Sequence, residues 1–158
     1  MSDAATDPAP HAARRHWMAV LARASAADLE AALADCAPLP DYTRLRGPEA
    51  GLVMVRGRIG GGGSAFNAGE MTVTRCSVRM ADGMVGHAYV AGRDERRAEL
   101  AALCDALLQV PGLAAALQAV VQRLHAAQQA RRETMAAKAA ATRVQFFAME
   151  TWRGGPGT

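Results

Sequence analysis

Apolar positions in this chain recur with two different periods, and the switches between them divide the sequence into helical, extended and again helical stretches. From His16 onward, Trp17, Val20, Leu21 and Ala24 fall on one helical stripe. Ser25 then reads as an N-cap, with Asp28 in the position of a capping-box acid. Leu29 and Leu33 continue that second short helix, and Pro38 and Pro40 end it. From Tyr42 the period changes. Leu52–Ile59 alternates as a strand, with Val53, Val55 and Ile59 on one face and Arg56 and Arg58 on the other. Gly60, Gly61, Gly62, Gly63 and Ser64 form a loop, because glycines offer no side chain to hold regular structure. Met71–Met80 and Met84–Val90 are two further alternating runs. Asp82-Gly83 between them is a strong hairpin signal.

A turn made of Asp82 and Gly83 alone pairs Met80 with Val85, Val78 with His87 and Cys76 with Tyr89. Cys76, Val78, Met80, Val85 and Tyr89 then form the expected core face. Arg75, Ser77 and Arg79 lie on the opposite face beside Ala88 and Val90. This reading puts Arg75 and Arg79 roughly 7 Å apart, close enough to share one anion. After Gly92, Arg93 and Asp94 the period turns helical again. Ala98, Ala102, Leu103, Ala106 and Leu107 form one stripe, which Pro111-Gly112 interrupts. Leu113, Leu117, Val120, Val121 and Leu124 form the next, fading into Gln128, Gln129, Arg131 and Arg132. A last apolar group is Val144, Phe146, Phe147 and Met149. The expected fold is α+β: N-terminal helices, a small antiparallel sheet with an Asp-Gly hairpin, then long C-terminal helices. Residues 1–13 and 151–158 read as disordered tails around one domain over 14–150.

Composition narrows the class. Hydrophobic residues make up 51% and charged residues 21%, which excludes a chain too polar to fold. Aromatics are only 4%, so the core is built from Ala, Leu, Val and Met. No apolar run is long enough to cross a membrane, and the acidic start lacks the apolar stretch of a signal peptide. A cytoplasmic protein is expected. Net charge is +3, and of 18 basic residues only Lys138 is not arginine. That bias suits anionic partners, and it equally suits a GC-rich genome. The basic residues are dispersed, without the interleaved surface aromatics that stack bases, which weighs against a nucleic-acid-binding module. Cys36, Cys76 and Cys104 include no CxxC pair, which argues against a disulfide scaffold or a zinc site.

Candidate chemistry is sparse. His11, His16, His87 and His125 show no metal-ligand spacing, and His87 reads as a strand histidine satisfied by packing. Cys76 and Cys104 fall in apolar surroundings, where a thiol is inert. Gly60–Gly63 offers backbone N–H groups that suit phosphate oxygens, although the GxxxxGK[ST] pattern is absent. Glu99, Asp105 and Asp94 show no carboxylate partner. Gly92–Glu99 is the densest charge cluster, with Asp94 placed to cap the following helix and Arg93 just outside it.

Four segments then carry a resemblance: Arg15–Ala22, Gly69–Arg79 with its TVTRC run, Asp82–Asp94 ending in GRD, and Thr142–Phe147. In order, over roughly residues 14–149, they resemble PhnG, the G subunit of the bacterial carbon–phosphorus lyase complex. Arg97 stands where histidine is common in that family, and Gln145 where aspartate is common. The resemblance implies an accessory subunit that works with the H, I and J subunits, chiefly I, and with L in the synthase reaction. That reaction transfers a phosphonate such as methylphosphonate to C1′ of ATP ribose, displaces adenine and gives α-D-ribose 1-methylphosphonate 5-triphosphate. No cofactor or metal is implied for this subunit itself, and neither nucleic acid nor membrane is an expected partner. Two alternatives stand beside this reading: a purely structural scaffold, and a subunit that touches substrate. The candidate contact residues are Arg75, Arg79, Arg93, Asp94 and Glu99, with Gly60, Gly61, Gly62 and Gly63 as a phosphate loop. Finally, the stripes Leu113–Leu124 and Val144–Met149 lack a sheet to cover them, which predicts that a partner does.

Overall fold

The computed structural model describes residues 8–59 and 62–142. Helix α1 runs over Pro8–Leu21 and α2 over Ala26–Ala34. Strands β1 (Tyr42–Arg58), β2 (Ala65–Met80) and β3 (Val85–Ala91) follow, then helices α3 (Glu95–Leu107) and α4 (Pro111–Ala141). The strands form one antiparallel sheet in the order β1-β2-β3. This is the expected α+β class. Helix α1 begins inside the stretch read as tail over 1–13, because Pro8 and Pro10 sit in a first turn, where N–H groups have no intrahelical partner to lose. Val144–Met149, Gln145, Gly60, Gly61 and residues 151–158 lie outside the described residues.

Local signals fixed the helix starts. Ser25 accepts a hydrogen bond from the Asp28 N–H at 3.1 Å, and the Asp28 carboxylate accepts from the Ser25 N–H, closing the capping box. Asp94 caps α3 by accepting from the Arg97 N–H at 2.9 Å. The hairpin register differs from the expected one. Gly83 donates to the Met80 carbonyl and Met80 to that of Met84, so the loop is three residues, Ala81–Gly83, with Gly83 at φ +91°. That conformation suits glycine, and the extra residue slips the pairing by one. Arg79 faces Val85, Ser77 faces His87, and Arg75 faces Tyr89. A one-residue slip turns every side chain of β3 over. Gly86, Ala88 and Val90 therefore face the core, while Val85, His87 and Tyr89 face outward. The faces assigned to β2 stand: Cys76, Val78 and Met80 are buried and Arg79 is exposed.

One sheet face is covered by helices. Ala98–Leu107 of α3 is buried throughout, together with Leu29 and Leu33 of α2, Val20 and Leu21 of α1, and Leu117, Val120 and Val121 of α4. Leu113 and Leu124 also pack against this core. The stripe Leu113–Leu124 is thus covered by its own chain, because α4 folds back onto α1 and α3, and not by a partner as expected. Small residues let α3 lie very close to β3. A Cβ added at Gly86 would stand 2.6 Å from the Ala106 amide nitrogen and closer still to the Ala102 carbonyl oxygen.

Two buried carboxylates join the layers. Asp105 is fully buried and accepts from Arg14 (2.7 and 3.2 Å), from the Trp17 indole N–H (2.8 Å) and from the His87 backbone N–H (2.9 Å). Glu99 accepts Nε and Nη2 of Arg44 at 2.7 and 2.8 Å, with the Tyr42 hydroxyl donating at 3.0 Å. These bonds satisfy charges that burial alone would penalise. The Arg44 fork, opposed by burial and reinforced by Tyr42, holds the Glu99 carboxyl below its usual range. Burial pushes the Cys104 thiol up to about 12, and Cys36 and Cys76 are raised as well. All three cysteines are free and buried.

Two predictions follow from these contacts. Gly86→Ala forces a methyl into the α3 backbone, so the expected loss is about 3 kcal/mol or more by urea unfolding, against a neutral change for Gly69→Ala, where a Cβ meets open space. The lowered Glu99 value means its stabilisation is present above the ordinary glutamate range and disappears as pH falls through the folded value. Glu99→Gln should therefore lower the unfolding midpoint at about pH 7, with the gap to the native sequence narrowing as pH falls from the ordinary glutamate range through the folded value. A gap that stays constant over that range contradicts the assignment.

Candidate functional site

One cluster of polar side chains lies on the outer face of the sheet, opposite α3. Arg75 stands near its middle on β2, flanked by Glu49 of β1 and Tyr89 of β3 in the strand register. Its Nε donates to Glu49 Oε1 at 2.7 Å, and Arg46 Nε lies 3.5 Å from the same oxygen. The Tyr89 hydroxyl first, and Glu49 second, push the Arg75 guanidinium above its already high range, so it stays cationic. One pleat away, Ser77 Oγ and His87 Nδ1 are 2.8 Å apart. Leu45, Arg46, Arg75, Ser77, His87 and Tyr89 line a concavity of about 410 Å³.

Arg79 shares this face, as its even spacing from Arg75 required, but not this site. Four residues at about 3.3 Å each separate the two by roughly 13 Å, not 7 Å. Arg79 instead borders a shallow depression with Asp41 and Thr43. Arg93 is exposed at the corner where β3 leaves for α3, beside Gly92 at φ +89°. Asp94 is committed to capping α3. Its N–H donates to Thr74 Oγ1 at 3.1 Å, and the Thr74 hydroxyl donates to the Gly92 carbonyl at 2.7 Å. The buried Thr74 therefore stitches the TVTRC strand to the GRD corner. Glu99 lies on the opposite, core side of the sheet, paired with Arg44, so it cannot join Arg75 in one contact. In the glycine loop, the Gly63 N–H donates back to the Ile59 carbonyl at 3.3 Å, and Arg58 donates to the Gly63 carbonyl at 3.0 Å. That amide is turned inward, which argues against a phosphate cradle at this glycine.

Sequence reasoning named Arg75 as a candidate, with Ser77 on the same face, but not the other residues around it: Arg46, Glu49, His87 and Tyr89. The signal for the last two was the length of the hairpin loop, since the three-residue form moves both beside the β2 polar residues. Chemically, two guanidiniums, a hydroxyl–imidazole pair and a phenol around an open hollow suit carboxylate or phosphate oxygens. Among the described residues no group of three or more metal-ligating side chains converges, and no helix is long and apolar enough to cross a membrane.

Known proteins set this geometry in a family. Residues 12–154 match the family model described as phosphonate metabolism protein PhnG. The chain is also 46% identical, over 151 residues, to a protein of Rhizobium meliloti (strain 1021) named alpha-D-ribose 1-methylphosphonate 5-triphosphate synthase subunit PhnG. That alignment covers 94% of this chain and 97% of the relative. A match running from α1 through the hairpin, the GRD corner and α4 takes in every element of the fold, and the chain belongs to the PhnG family.

Proposed function

We propose that this chain is an accessory subunit of an α-D-ribose 1-methylphosphonate 5-triphosphate synthase acting in organic phosphonate catabolism; its Rhizobium meliloti relative is named as a subunit of that synthase. In this reading the complex transfers a phosphonate such as methylphosphonate to C1′ of ATP ribose with displacement of adenine. The chain works as part of that transferase, without a cofactor of its own, in the cytoplasm. Its partners are the H, I and J subunits, chiefly I, with L joining for the synthase reaction. The observation that supports an accessory role is how the chain spends its charges. The buried carboxylates Asp105 and Glu99 and the cap Asp94 each hold secondary structure together. An arginine-bearing group of polar side chains on the outer sheet face lines the open hollow at Arg75. That hollow is suited to gripping an oxyanion, either a partner's carboxylate or a phosphate of the highly anionic substrates. Arg79, on the same sheet face, and Arg93, at the corner between β3 and α3, are separate, weaker contacts. A nucleic-acid partner is not favoured, because the outer face lacks a continuous basic track.

The test uses the reconstituted complex. The chain alone should release no adenine from ATP, and Arg75→Ala should weaken complex assembly or phosphonate-dependent adenine release by at least about tenfold. Arg75→Lys restores only part, because an ammonium cannot present the planar fork. Loss of assembly assigns Arg75 to a partner carboxylate, and intact assembly with lost turnover assigns it to substrate. Wild-type levels of both remove Arg75 from the site.

A further inference from the structure

Beyond β3 the sheet continues as two strands only. Pairing of β2 with β3 ends at Val73 and Ala91, whereas β1 and β2 remain paired from Leu52 and Thr72 out to Arg58 and Ala65. A two-stranded ribbon is marginal in water unless a third strand or a packed layer supports it. Among the described residues no layer does so. Leu52 is 64% exposed, Met54 54%, Phe66 45% and Met71 43%, and Ile59 at the tip 78%.

The register shows that this exposure is two-sided. Val53 and Met71 are cross-strand partners on one face, and Leu52 and Met54 lie on the other, opposite Thr72 and Glu70. A solvated ribbon needs a polar face, and this one has none that is free of large apolar groups. Methionine, phenylalanine and arginine are also the residues enriched at the centres of protein interfaces. The charges are unbalanced: Arg56 and Arg58 lie toward the tip, with Glu70 as the ribbon's carboxylate. Arg58 reaches the Gly63 carbonyl within the ribbon, which leaves its charge uncompensated.

We infer that the ribbon Leu52–Arg58 with Ala65–Thr72 is a docking arm that seats on an apolar surface bordered by carboxylates on a different subunit of the complex. This rests on the accessory-subunit reading, and it names where that subunit is gripped. A second copy of this chain fits poorly. A two-fold contact sets the same patch against itself, so two copies each of Arg56 and Arg58 would share one interface with one Glu70 per arm to offset them. A foreign surface carrying acids has no such conflict.

The experiment is co-purification of this chain with the other subunits of the complex, one of them tagged. Leu52→Asp/Met54→Asp should reduce recovery of the chain at least about tenfold, since buried apolar anchors dominate interfaces. Met135→Asp, which alters a side chain 71% exposed on α4, should leave recovery unchanged. Arg56→Glu/Arg58→Glu repeats the test without touching apolar positions, and its loss of binding is expected even if the first variant folds poorly. Both arm variants recovered like the native chain, while the native chain assembles, overturns the arm alone. Failure of the native chain to join the complex overturns the accessory reading and the arm together. A native homodimer that the arm variants abolish assigns the surface to a second copy and overturns the foreign partner.

Discussion

A single buried carboxylate organises this fold. Asp105 sits in the last turn of α3 with no exposed surface, in a helix whose neighbouring positions are Ala, Cys and Leu. An isolated carboxylate there would be untenable, so the surrounding elements must bring donors to it. Arg14 and Trp17 do so from α1, and the His87 amide does so from β3. The last contact also settles an edge. Strand β3 ends the sheet, and its outward-facing His87 N–H and Val85 carbonyl are taken by Asp105, Arg14 and Gln109. The edge is closed where the helices pass, and at its far end Arg97 takes the Ala91 carbonyl.

Much of this architecture was legible in the sequence, for local reasons. Ser25 with Asp28, and Asp94 before the Ala98–Leu107 stripe, announce helix starts because caps act within one turn. The outer placement of Arg75, Ser77 and Arg79 followed from period two alone. The register was not legible, since Asp82-Gly83 serves both a two-residue turn and a three-residue loop with glycine left-handed at its end. The residue to consult was Gly86. A strand position without a side chain, next to Ala88, marks the face pressed against a helix. The first half of β1 was invisible because irregular pairing between Arg44 and Glu49 breaks the alternation. Asp105 and Glu99 were read only as lacking a carboxylate partner, yet a charge inside an apolar helical stripe is itself a statement that a distant donor exists. Arg14 and Arg44 are those donors, 91 and 55 residues away, beyond the reach of any local pattern.

The sheet separates two tasks between its faces. On the helix side, Glu99, Thr74 and Asp105 spend their polarity on holding elements together. On the open side, Arg75, Arg46, His87 and Tyr89 surround a hollow whose internal counter-charge is Glu49. That carboxylate both orients the guanidiniums and competes with any incoming anion, so binding there is an exchange of partners. Strand β2 belongs to both faces, which couples the position of Arg75 to the packing of Val78 and Cys76 one pleat away.

Helix α4 differs from its neighbours in where its order comes from. Its first half is held by Leu117, Val120 and Val121, and Gln128 donates to the Val20 carbonyl at 3.0 Å. Past Gln128 every residue to Ala141 is exposed. Among the described residues that half has no tertiary support, and it persists because a helix once nucleated extends at little cost through alanine. Its order is borrowed: loosening the buried anchor near Leu117 would melt turns that touch nothing, carrying a disturbance of the core some thirteen residues outward along the backbone.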